Sequence, residues 1–505
     1  MTRLLLYINR RSGVAHVDRS CEAIANAPAR YLRLELYALV AAPLRLSIGM
    51  PTAGHAVRPI DMRAFFLLPL LAAAFALAGS ASAQTSGLHN LHPCAEAGYT
   101  CATLDVPLDR AHPGQGTLQL RVGIGDNAKA PHGVLLVLSG GPGQPGLPIL
   151  DGYVAKALSA ERNQYRIVVF DQRGTGAGAL DCKALQREMG SSDLTPPSAR
   201  AVRSCARKLG SRRQFFGTDD TVADMEALRQ ALGVDKWSID GISYGTYVGE
   251  RYGLAHPANV SKLVLDSVVP QVGETDLGVN GFAAVRRVFH SICGNGCLAD
   301  IATVVRRYHL GPQLFDALTF DSIADPTYRK YWNVPAALHA AAHGNRKQLN
   351  AFFAAALHYQ RYPARLLDQG LHASTLCADW RFPWGSSAAP LAGRGAKLRT
   401  AVARIPARKL YPFDRRTASG NGFVQQCLPW APTRPTPPAH GKLRVPTLIV
   451  EGNHDLSTQL TWAHQQLALT PHGKLVVVPG AGHSVQSRAV SDVGRAAVAR
   501  FLLGS

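Results

Sequence analysis

Residues 237–246 read Trp-Ser-Ile-Asp-Gly-Ile-Ser-Tyr-Gly-Thr, a G-x-S-x-G pattern between an apolar run and a helix-like run. In that context the serine sits on a sharp strand-to-helix turn, the nucleophile elbow. Gly241 and Gly245 flank Ser243 where a Cβ atom would collide with backbone in so tight a turn. The turn would aim the hydroxyl out of the sheet, beside the N-terminus of the next helix. The pattern predicts Ser243 as a nucleophile, with a flexible loop as the alternative in a chain that has 47 glycines.

Short apolar runs recur on both sides of this stretch and predict the fold. They lie at 134–138, 167–170, 263–265, 448–450 and 475–478. Continuous runs of this length are typical of strands buried on both faces of a parallel sheet. Helical patterns such as 221–232 separate several of them, whereas 102–106 and 117–124 alternate apolar and polar residues as antiparallel strands do. The order predicts an α/β fold with a doubly wound, mostly parallel sheet flanked by helices.

Small and polar residues follow the predicted strand ends, which is where ligands bind in such sheets. A serine hydroxyl needs a base, and the base needs an acid that fixes its tautomer. His483 lies in a Gly-rich loop after the last predicted strand and is the expected base. Two acids compete, because Asp455 follows the strand at 448–450 and Asp266 ends the strand at 263–265. We favour Asp455, since the Ser-Val-Val-Pro after Asp266 indicates an exit from the sheet.

Acyl transfer on a serine also needs hydrogen-bond donors aimed at the developing oxyanion. One predicted donor is the backbone N–H of Tyr244, the residue after the nucleophile. The second is expected from Gly140 or Gly141, where missing side chains let backbone approach a substrate. We assign it to Gly141, although Gly-Gly-Pro-Gly at 140–143 would on its own be consistent with a simple turn.

Five short motifs stand at the ends of the predicted strands. They are Ser-Gly-Gly-Pro-Gly at 139–143, Asp-Gln-Arg-Gly-Thr-Gly at 171–176, Gly-Ile-Ser-Tyr-Gly at 241–245, Glu-Gly-Asn-His-Asp at 451–455 and Gly-Ala-Gly-His at 480–483. Over roughly residues 90–500 the chain resembles the prolyl and tripeptidyl aminopeptidase family of α/β-hydrolase serine peptidases, and most closely its exported tripeptidyl branch. The resemblance implies the α/β-hydrolase fold, the triad Ser243, Asp455 and His483, and exopeptidase action. Ser139 stands where prolyl aminopeptidases usually carry histidine, which weakens the specifically prolyl assignment.

The resemblance also implies a peptide substrate with a free N-terminus, whose α-ammonium group needs negative charge nearby. Asp379, in Cys-Ala-Asp-Trp at 377–380, is the candidate that looks most like a family motif. The alternative is that this aspartate caps a helix. We expect no cofactor and no metal.

The N-terminal region has the features of an export signal. Residues 62–83 begin with Met-Arg, continue through an uncharged apolar stretch and end on Ala-Ser-Ala, as secretory signal peptides do. We therefore expect Met62 to be the true start and residues 1–61 to be a non-native upstream extension. The mature protein is then secreted or periplasmic without stable membrane insertion, and an uncleaved membrane anchor is the alternative.

The remaining chain divides into regions with different predicted secondary structure. We expect an α/β-hydrolase core built from residues 84–266 and 446–505. Residues 267–445 are rich in helical patterns and are expected to form a mainly helical cap inserted between two core strands. A separate second domain is the alternative, and it is disfavoured because a core-type strand and both remaining triad candidates follow the insertion.

Net charge and cysteine content limit the binding partners and metal sites that can be expected. The formal net charge of +20 would suit nucleic acid, but the Lys and Arg residues are scattered and no nucleic-acid motif accompanies them, so a basic surface is expected. Cys21 lies in the upstream segment, and eight cysteines remain, an even number that suggests disulfides in an exported chain. Neighbour pairing is the economical assignment: Cys94 with Cys101, Cys182 with Cys205, Cys293 with Cys297 and Cys377 with Cys427. A zinc site at Cys293 and Cys297 is disfavoured, since no second ligand pair has suitable spacing.

Two other functions remain open at this point. A carboxylesterase or lipase-like hydrolase would use the same triad beneath an apolar cap pocket. A non-catalytic binding protein of the same fold is disfavoured, because such proteins usually lose a triad member and this chain has candidates for all three. Peptide length preference and oligomeric state do not follow from the sequence.

Overall fold

A nine-stranded β-sheet organises the protein. The computed structural model describes residues 87–273, 276–320 and 333–504. The strands are β1 (His89–Pro93), β2 (Tyr99–Pro107), β3 (Thr117–Gly125), β4 (Val134–Leu138), β5 (Arg166–Phe170), β6 (Trp237–Ile242), β7 (Val260–Asp266), β8 (Thr447–Gly452) and β9 (Gly473–Val478). The expected upstream extension and signal peptide, residues 1–61 and 62–83, lie outside the described residues.

The sheet is antiparallel at one side and parallel through the rest. Its order is β1-β2-β3-β5-β4-β6-β7-β8-β9, and pairing is antiparallel from β1 to β5 and parallel from β5 to β9. The predicted antiparallel pair at 102–106 and 117–124 is β2 with β3, and the five apolar runs fall in β4, β5, β7, β8 and β9. The mostly parallel α/β sheet is therefore confirmed. The N-terminal strand β1 was not predicted, because its sequence lacks an alternating pattern of apolar and polar residues.

Register brings the carboxyl ends of four neighbouring strands together. Ile242 of β6 pairs with Asp266 of β7, Asp266 pairs with Val450 of β8, and Gly452 pairs with Val478 of β9. The chain segments that follow these strands therefore leave the sheet at one edge. The elbow serine, both candidate acids and the candidate histidine all belong to those segments or to the strand ends themselves.

Burial explains why these strands lie in the middle of the sheet. All five residues of β4 and all six of β6 are buried, and most of them are apolar. In β2 the burial alternates along much of the strand, because one face packs on the core and the other is partly solvated. The apolar runs thus mark the strands that are covered on both faces.

Helices fill the connections. They are α1 (Ala155–Ala157), α2 (Lys183–Met189), α3 (Ala199–Leu209), α4 (Thr218–Ala231), α5 (Tyr244–Ala255), α6 (Val279–Tyr308), α7 (Gly311–Phe320), α8 (Val334–Ala342), α9 (Lys347–Tyr359), α10 (Gln369–Asp379), α11 (Arg394–Arg404), α12 (Ala407–Leu410), α13 (Arg415–Gly420), α14 (Gly422–Cys427), α15 (Leu460–Ala468) and α16 (Val493–Leu503). The helix predicted at 221–232 begins earlier, at Thr218. Its first turn is capped by Asp220, whose carboxylate accepts the backbone N–H of Gly217 at 3.2 Å.

Helices α6 to α14 all lie between β7 and β8, which are adjacent strands of the sheet. The chain thus leaves the sheet after Asp266 and returns beside it. Aromatic rings form part of the interior of this insertion, with the Phe282 ring 4.9 Å from the rings of Phe315 and Phe413. By length and apolar composition α6 would be able to cross a membrane, but Gly294 interrupts it with φ 69° and much of it is buried inside the protein.

Four disulfides join the eight cysteines of the described residues. The pairs are Cys94–Cys101, Cys182–Cys205, Cys293–Cys297 and Cys377–Cys427. Neighbour pairing is therefore confirmed. The 293–297 pair, whose short spacing had raised the question of zinc, is closed as a disulfide.

Candidate active site

The segment around Ser243 has the backbone of a nucleophile elbow. Ser243 joins β6 to α5 with φ 55° and ψ −123°, a conformation that residues with a side chain rarely adopt outside functional sites. A Cβ atom on Gly241 would lie 2.5 Å from the carbonyl oxygen of Gly245, and one on Gly245 would lie 2.6 Å from the carbonyl oxygen of Leu138. Both glycines are therefore required by backbone contact, for the reason that the sequence suggested.

Asp455 and His483 meet at the same edge of the sheet. The Nδ1 atom of His483 lies 2.8 Å from Oδ2 of Asp455. The other carboxylate oxygen accepts the backbone N–H groups of Ser457 at 2.7 Å and Thr458 at 2.9 Å. Burial alone would raise the pKa of the Asp455 carboxyl, but the nearby His483 and these donors together hold that pKa below its ordinary value. An ionised acid on Nδ1 leaves Nε2 as the nitrogen that would serve the nucleophile.

The competing acid, Asp266, has a different set of partners. Its carboxylate accepts the backbone N–H groups of Val485 at 2.8 Å and Gln486 at 2.9 Å, and its neighbour Ser267 accepts the N–H of Ser484 at 2.7 Å. Burial raises the pKa of Asp266, and its hydrogen bonds offset that only in part. Asp266 therefore holds the backbone just after His483, whereas Asp455 contacts the imidazole itself.

Ser243 is half-buried, and its backbone N–H donates to the Asp266 carbonyl oxygen at 2.9 Å. Within residues 87–273, 276–320 and 333–504, its hydroxyl makes no hydrogen bond to His483 or to any other group. Catalytic hydrogen bonds of this kind often shorten only when substrate is bound. The shared strand edge and the Asp455–His483 pair bring the three predicted residues to one region, and the Ser243–His483 contact remains a prediction.

Two elements approach the nucleophile where an oxyanion would form. Tyr244 is the first residue of α5, so its backbone N–H belongs to the helix end that carries unpaired donors. On the other side, a Cβ atom on Gly140 would lie 3.0 Å from Cβ of Ser243. Gly141 has φ 106°, which favours glycine there. The turn at 140–143 therefore packs directly against the elbow.

Comparison with known proteins agrees with this geometry. The family model described as the alpha/beta hydrolase fold matches residues 133–489, which is most of the chain. The chain belongs to the α/β hydrolase fold family. The matched range contains β4 to β9, the elbow, the insertion and the loops that carry Asp455 and His483.

Several curated relatives of this α/β hydrolase are peptidases by name. It is 31% identical over 188 residues to a tripeptidyl aminopeptidase of Streptomyces coelicolor, covering 34% of this chain and 35% of the relative. A probable proline iminopeptidase of the same organism is 34% identical over 139 residues, covering 27% and 34%. The serine protease Hip1 of Mycobacterium tuberculosis is 27% identical over 241 residues, covering 42% and 45%. The chain thus spans less than half the length of each of these relatives, and the resemblance to tripeptidyl and prolyl aminopeptidases is confirmed at modest identity.

Solved structures include distant neighbours. A proline iminopeptidase of Mycobacterium smegmatis is 17% identical with a TM-score of 0.39, covering 80% of this chain and 98% of that one. A serine hydrolase of Cycloclasticus zankles is 15% identical with a TM-score of 0.37, also covering 80% and 98%.

Asp379 lies in the insertion and is surrounded by hydrogen-bond donors. It ends α10, and its carboxylate is buried and accepts hydrogen bonds from the hydroxyls of Thr218, Tyr244 and Thr436 and from the N–H of Thr218. These donors already occupy both carboxylate oxygens. The expected contact of Asp379 with the substrate's α-ammonium group stays a prediction, and an ammonium at this carboxylate would have to displace those hydroxyls.

A cavity lies beside the Asp455 loop and supplies other acids. Leu456 and Ser457, which follow Asp455, form part of its wall, and so do Asp193 and Asp276. The aromatic lining residues are Phe315, Trp380, Phe382, Phe423 and Trp462. Sequence reasoning missed Asp193 and Asp276, because neither stands in a motif and only the folded chain brings them to one wall.

One group in the described part of the chain has metal-ligand chemistry. Asp300, His339 and His343 bring their ligand atoms within 4.8 Å of one another. His339 Nδ1 lies 3.0 Å from Asp300 Oδ2, and the two histidines are exposed. All three belong to the insertion between β7 and β8, and the Asp455–His483 pair does not include them.

Proposed function

We propose that this α/β hydrolase is an exported serine exopeptidase that releases residues or short peptides from free N-termini. The observation that carries the proposal is the Asp455–His483 hydrogen bond at the strand edge where the elbow presents Ser243. Serine peptidase relatives support a hydrolase role for the fold, and the exopeptidase specificity is the proposed step.

In the proposed reaction Ser243 attacks the carbonyl carbon of the scissile bond while His483 takes its proton. The tetrahedral intermediate collapses as His483 returns that proton to the leaving amine, which leaves an acyl-enzyme on Ser243. Water, deprotonated by His483, then releases the acyl group. Asp455 keeps the imidazole oriented and stabilises its charged form. The N–H groups of Tyr244 and Gly141 are the proposed oxyanion donors.

The cavity beside the Asp455 loop suits the N-terminal part of a peptide. Its aromatic residues favour apolar side chains, and its two carboxylates favour an ammonium group. Asp276 also accepts the N–H groups of Gly278 at 2.9 Å and Asn280 at 2.5 Å, near the start of α6. Asp193 lies 3.0 Å from Nε2 of the buried His372. We infer that Asp193 and Asp276, which line this cavity, bind the α-ammonium group.

Free and acetylated peptides test this proposal. Purified protein is assayed with a tripeptidyl p-nitroanilide that has a free N-terminus and with its acetylated counterpart. We expect acetylation to lower kcat/KM by at least about 30-fold, since loss of one partner of a buried charge pair costs about 2–5 kcal/mol. Asp193→Asn should raise KM for the free peptide and leave the acetylated one unchanged. Equal rates on both peptides in the unmodified enzyme would refute the exopeptidase assignment.

The second candidate is a carboxylesterase, favoured by the largely apolar and aromatic lining of the same cavity. Short-chain p-nitrophenyl esters distinguish it when assayed beside the free-amine peptide: an esterase hydrolyses the esters and does not turn over the peptide. A binding protein without catalysis would fail to react at Ser243 with an active-site phosphonate probe. Ser243→Ala is the control for both measurements.

Export is part of the proposal and is supported by the four disulfides, which persist in oxidising compartments. N-terminal sequencing of the natural product tests it. We expect the mature end near Gln84, after the Ala-Ser-Ala at 81–83, and a mature end upstream of Met62 would refute the assigned start.

A further inference from the structure

A buried hydrogen-bond network joins the insertion to the residue after the nucleophile. The hydroxyl of Tyr244 donates to Oδ2 of Asp379 at 3.0 Å and also contacts Oγ1 of Thr218. Thr218 donates its hydroxyl to the same carboxylate oxygen at 2.5 Å, and Thr436 donates to the other oxygen. Three segments far apart in sequence therefore meet at one carboxylate, and the aromatic side chain of Tyr244 is fixed among them.

The two insertion segments in this network are also joined to each other. The disulfide Cys377–Cys427 links the end of α10 to α14, and the backbone N–H of Thr436 donates to the carbonyl oxygen of Ala378 at 3.0 Å. The guanidinium of Arg381 spans the same contact, because it donates to the carbonyl oxygens of Asp379 and Thr436. Asp379 is thus held rigidly by the insertion while its carboxylate reaches α4 and α5.

We propose that Asp379 is a positioning residue: by holding the hydroxyl of Tyr244 it fixes the first turn of α5, and so aims the Tyr244 N–H at the oxyanion. This role rests on the proposed serine-hydrolase mechanism. The backbone donor and the side-chain anchor belong to one residue, so a tilt of the anchored ring moves the donor. A donor must lie within a few tenths of an ångström of its productive position to be effective.

A carboxylate suits this position better than an amide. It presents only acceptors, and all four groups that contact it can donate. An asparagine would turn its amide NH₂ either toward the backbone N–H of Thr218, which cannot accept, or toward the hydroxyls of Thr218 and Tyr244, which would then have to accept instead of donate. Burial and the Asp379 carboxylate raise the pKa of the Tyr244 phenol well above its ordinary value, so the phenol keeps the proton that it donates.

The test uses p-nitrophenyl acetate, which has no ammonium group. We expect Asp379→Asn to lower kcat by about 10- to 100-fold with little change in KM, since loss of a whole oxyanion donor costs about 10²–10³ in kcat. Tyr244→Phe, which removes only the hydroxyl, should lower kcat in the same direction. Because both changes break one interaction, the double variant should be no more than about 3-fold slower than Asp379→Asn alone.

Three results would overturn the proposal. Additive losses in the double variant would show that Asp379 does not act through Tyr244. An unchanged rate on the acetate ester with a raised KM for free-amine peptides would make Asp379 a substrate-binding residue. A lower melting temperature with unchanged kcat per phosphonate-titrated site would make its role purely structural. If Asp379→Asn does not fold, Thr436→Val tests the same carboxylate, and it should lower kcat by about 3-fold, as expected for one hydrogen bond.

Asp316→Asn is the matched control. Asp316 is likewise a buried aspartate of the insertion. Its carboxylate accepts hydrogen bonds from the hydroxyls of Ser192 and Thr195, each at 2.5 Å. Its replacement should lower stability and leave kcat on the ester unchanged, and a loss equal to that of Asp379→Asn would count against the proposal. Ser243→Ala tests the serine mechanism separately from the role of Asp379. Ester hydrolysis that survives in Ser243→Ala would refute the serine mechanism, and the Tyr244–Asp379 coupling would then be judged by the double variant alone.

Discussion

Asp455 and Asp266 both contact the loop that carries His483, and both are fully buried. Asp455 contacts the imidazole, whereas Asp266 binds the backbone of Val485 and Gln486. The pKa of Asp455 is lowered, because His483 and the surrounding donors outweigh burial, and the pKa of Asp266 is raised, because burial outweighs its partners. Two equally buried aspartates thus have different roles: Asp455 orients the imidazole of His483, and Asp266 holds the loop that follows it.

Removal of Asp455 should have the largest effect on activity. We expect Asp455→Ala to lower kcat/KM by about 10³- to 10⁴-fold, because a triad acid fixes the tautomer of its histidine and stabilises the imidazolium. Peptide and ester hydrolysis by protein with a native circular dichroism spectrum measure this. A loss smaller than that of Asp266→Ala, compared per titrated active site, would reverse the assignment.

Asp266→Ala should act mainly on folding. It leaves the N–H groups of Val485 and Gln486 buried without their acceptor, which costs about 1–3 kcal/mol for each group. We expect the free energy of unfolding in urea to fall by about 2–5 kcal/mol, with kcat per titrated active site within about 10-fold of the unmodified enzyme. Asp266→Asn, which keeps one acceptor oxygen, is the graded control and should lose less stability.

Much of the β-sheet and of the loops at its strand ends could be predicted from the sequence, because the patterns that encode them are local. The runs at 134–138 and 448–450 are strands covered on both faces, and the glycines at 241 and 245 are dictated by contacts within the turn and with the adjacent strand. The choice of Asp455 over Asp266 followed from loop position, and the geometry agrees with it. The backbone role of Asp266 was not readable, since its partners lie about 220 residues further along the chain.

The insertion behaves differently, because its polar contacts join segments that are remote in sequence. Asp379 was proposed as a substrate-binding acid from its place in Cys-Ala-Asp-Trp, with a helix cap as the alternative. Its partners Thr218, Tyr244 and Thr436 are 161, 135 and 57 residues away. No local pattern encodes such a network. The cavity acids Asp193 and Asp276 were missed for the same reason.

Thr458→Val tests the assignment of Asp455 as the acid that orients His483, with a smaller expected effect on kcat. The Thr458 hydroxyl donates to Asp455 Oδ2 at 2.8 Å and lies 3.2 Å from His483 Nδ1. Loss of one such hydrogen bond costs about 0.5–1.5 kcal/mol, so we expect kcat to fall by about 3- to 10-fold. Thr447→Val is the matched control, since the buried hydroxyl of Thr447, the first residue of β8, donates to the Val445 carbonyl oxygen and its loss should affect stability alone. Equal kcat values in the two variants would contradict a role for Thr458 at the Asp455–His483 pair.

The smallest effect is on stability as a function of pH, and it has opposite signs for the two acids. Asp455 has a lowered pKa in the folded protein, so its stabilising contribution is present above its unfolded value of 3.8 and is lost as pH falls through the folded value. Asp266 has a raised pKa, so the folded protein binds its proton more tightly and gains stability as pH falls through the folded value toward 3.8.

Urea unfolding of the unmodified protein, Asp455→Asn and Asp266→Asn between pH 7 and pH 3 measures both contributions. The stability difference between the unmodified protein and Asp266→Asn should grow as the pH falls, by at most about 1.4 kcal/mol per pH unit for one proton. The difference from Asp455→Asn should stay level until about pH 4 and then shrink. Parallel curves for the two variants would mean that the carboxyl groups share one environment, and the division between orienting the imidazole and holding its loop would then fail.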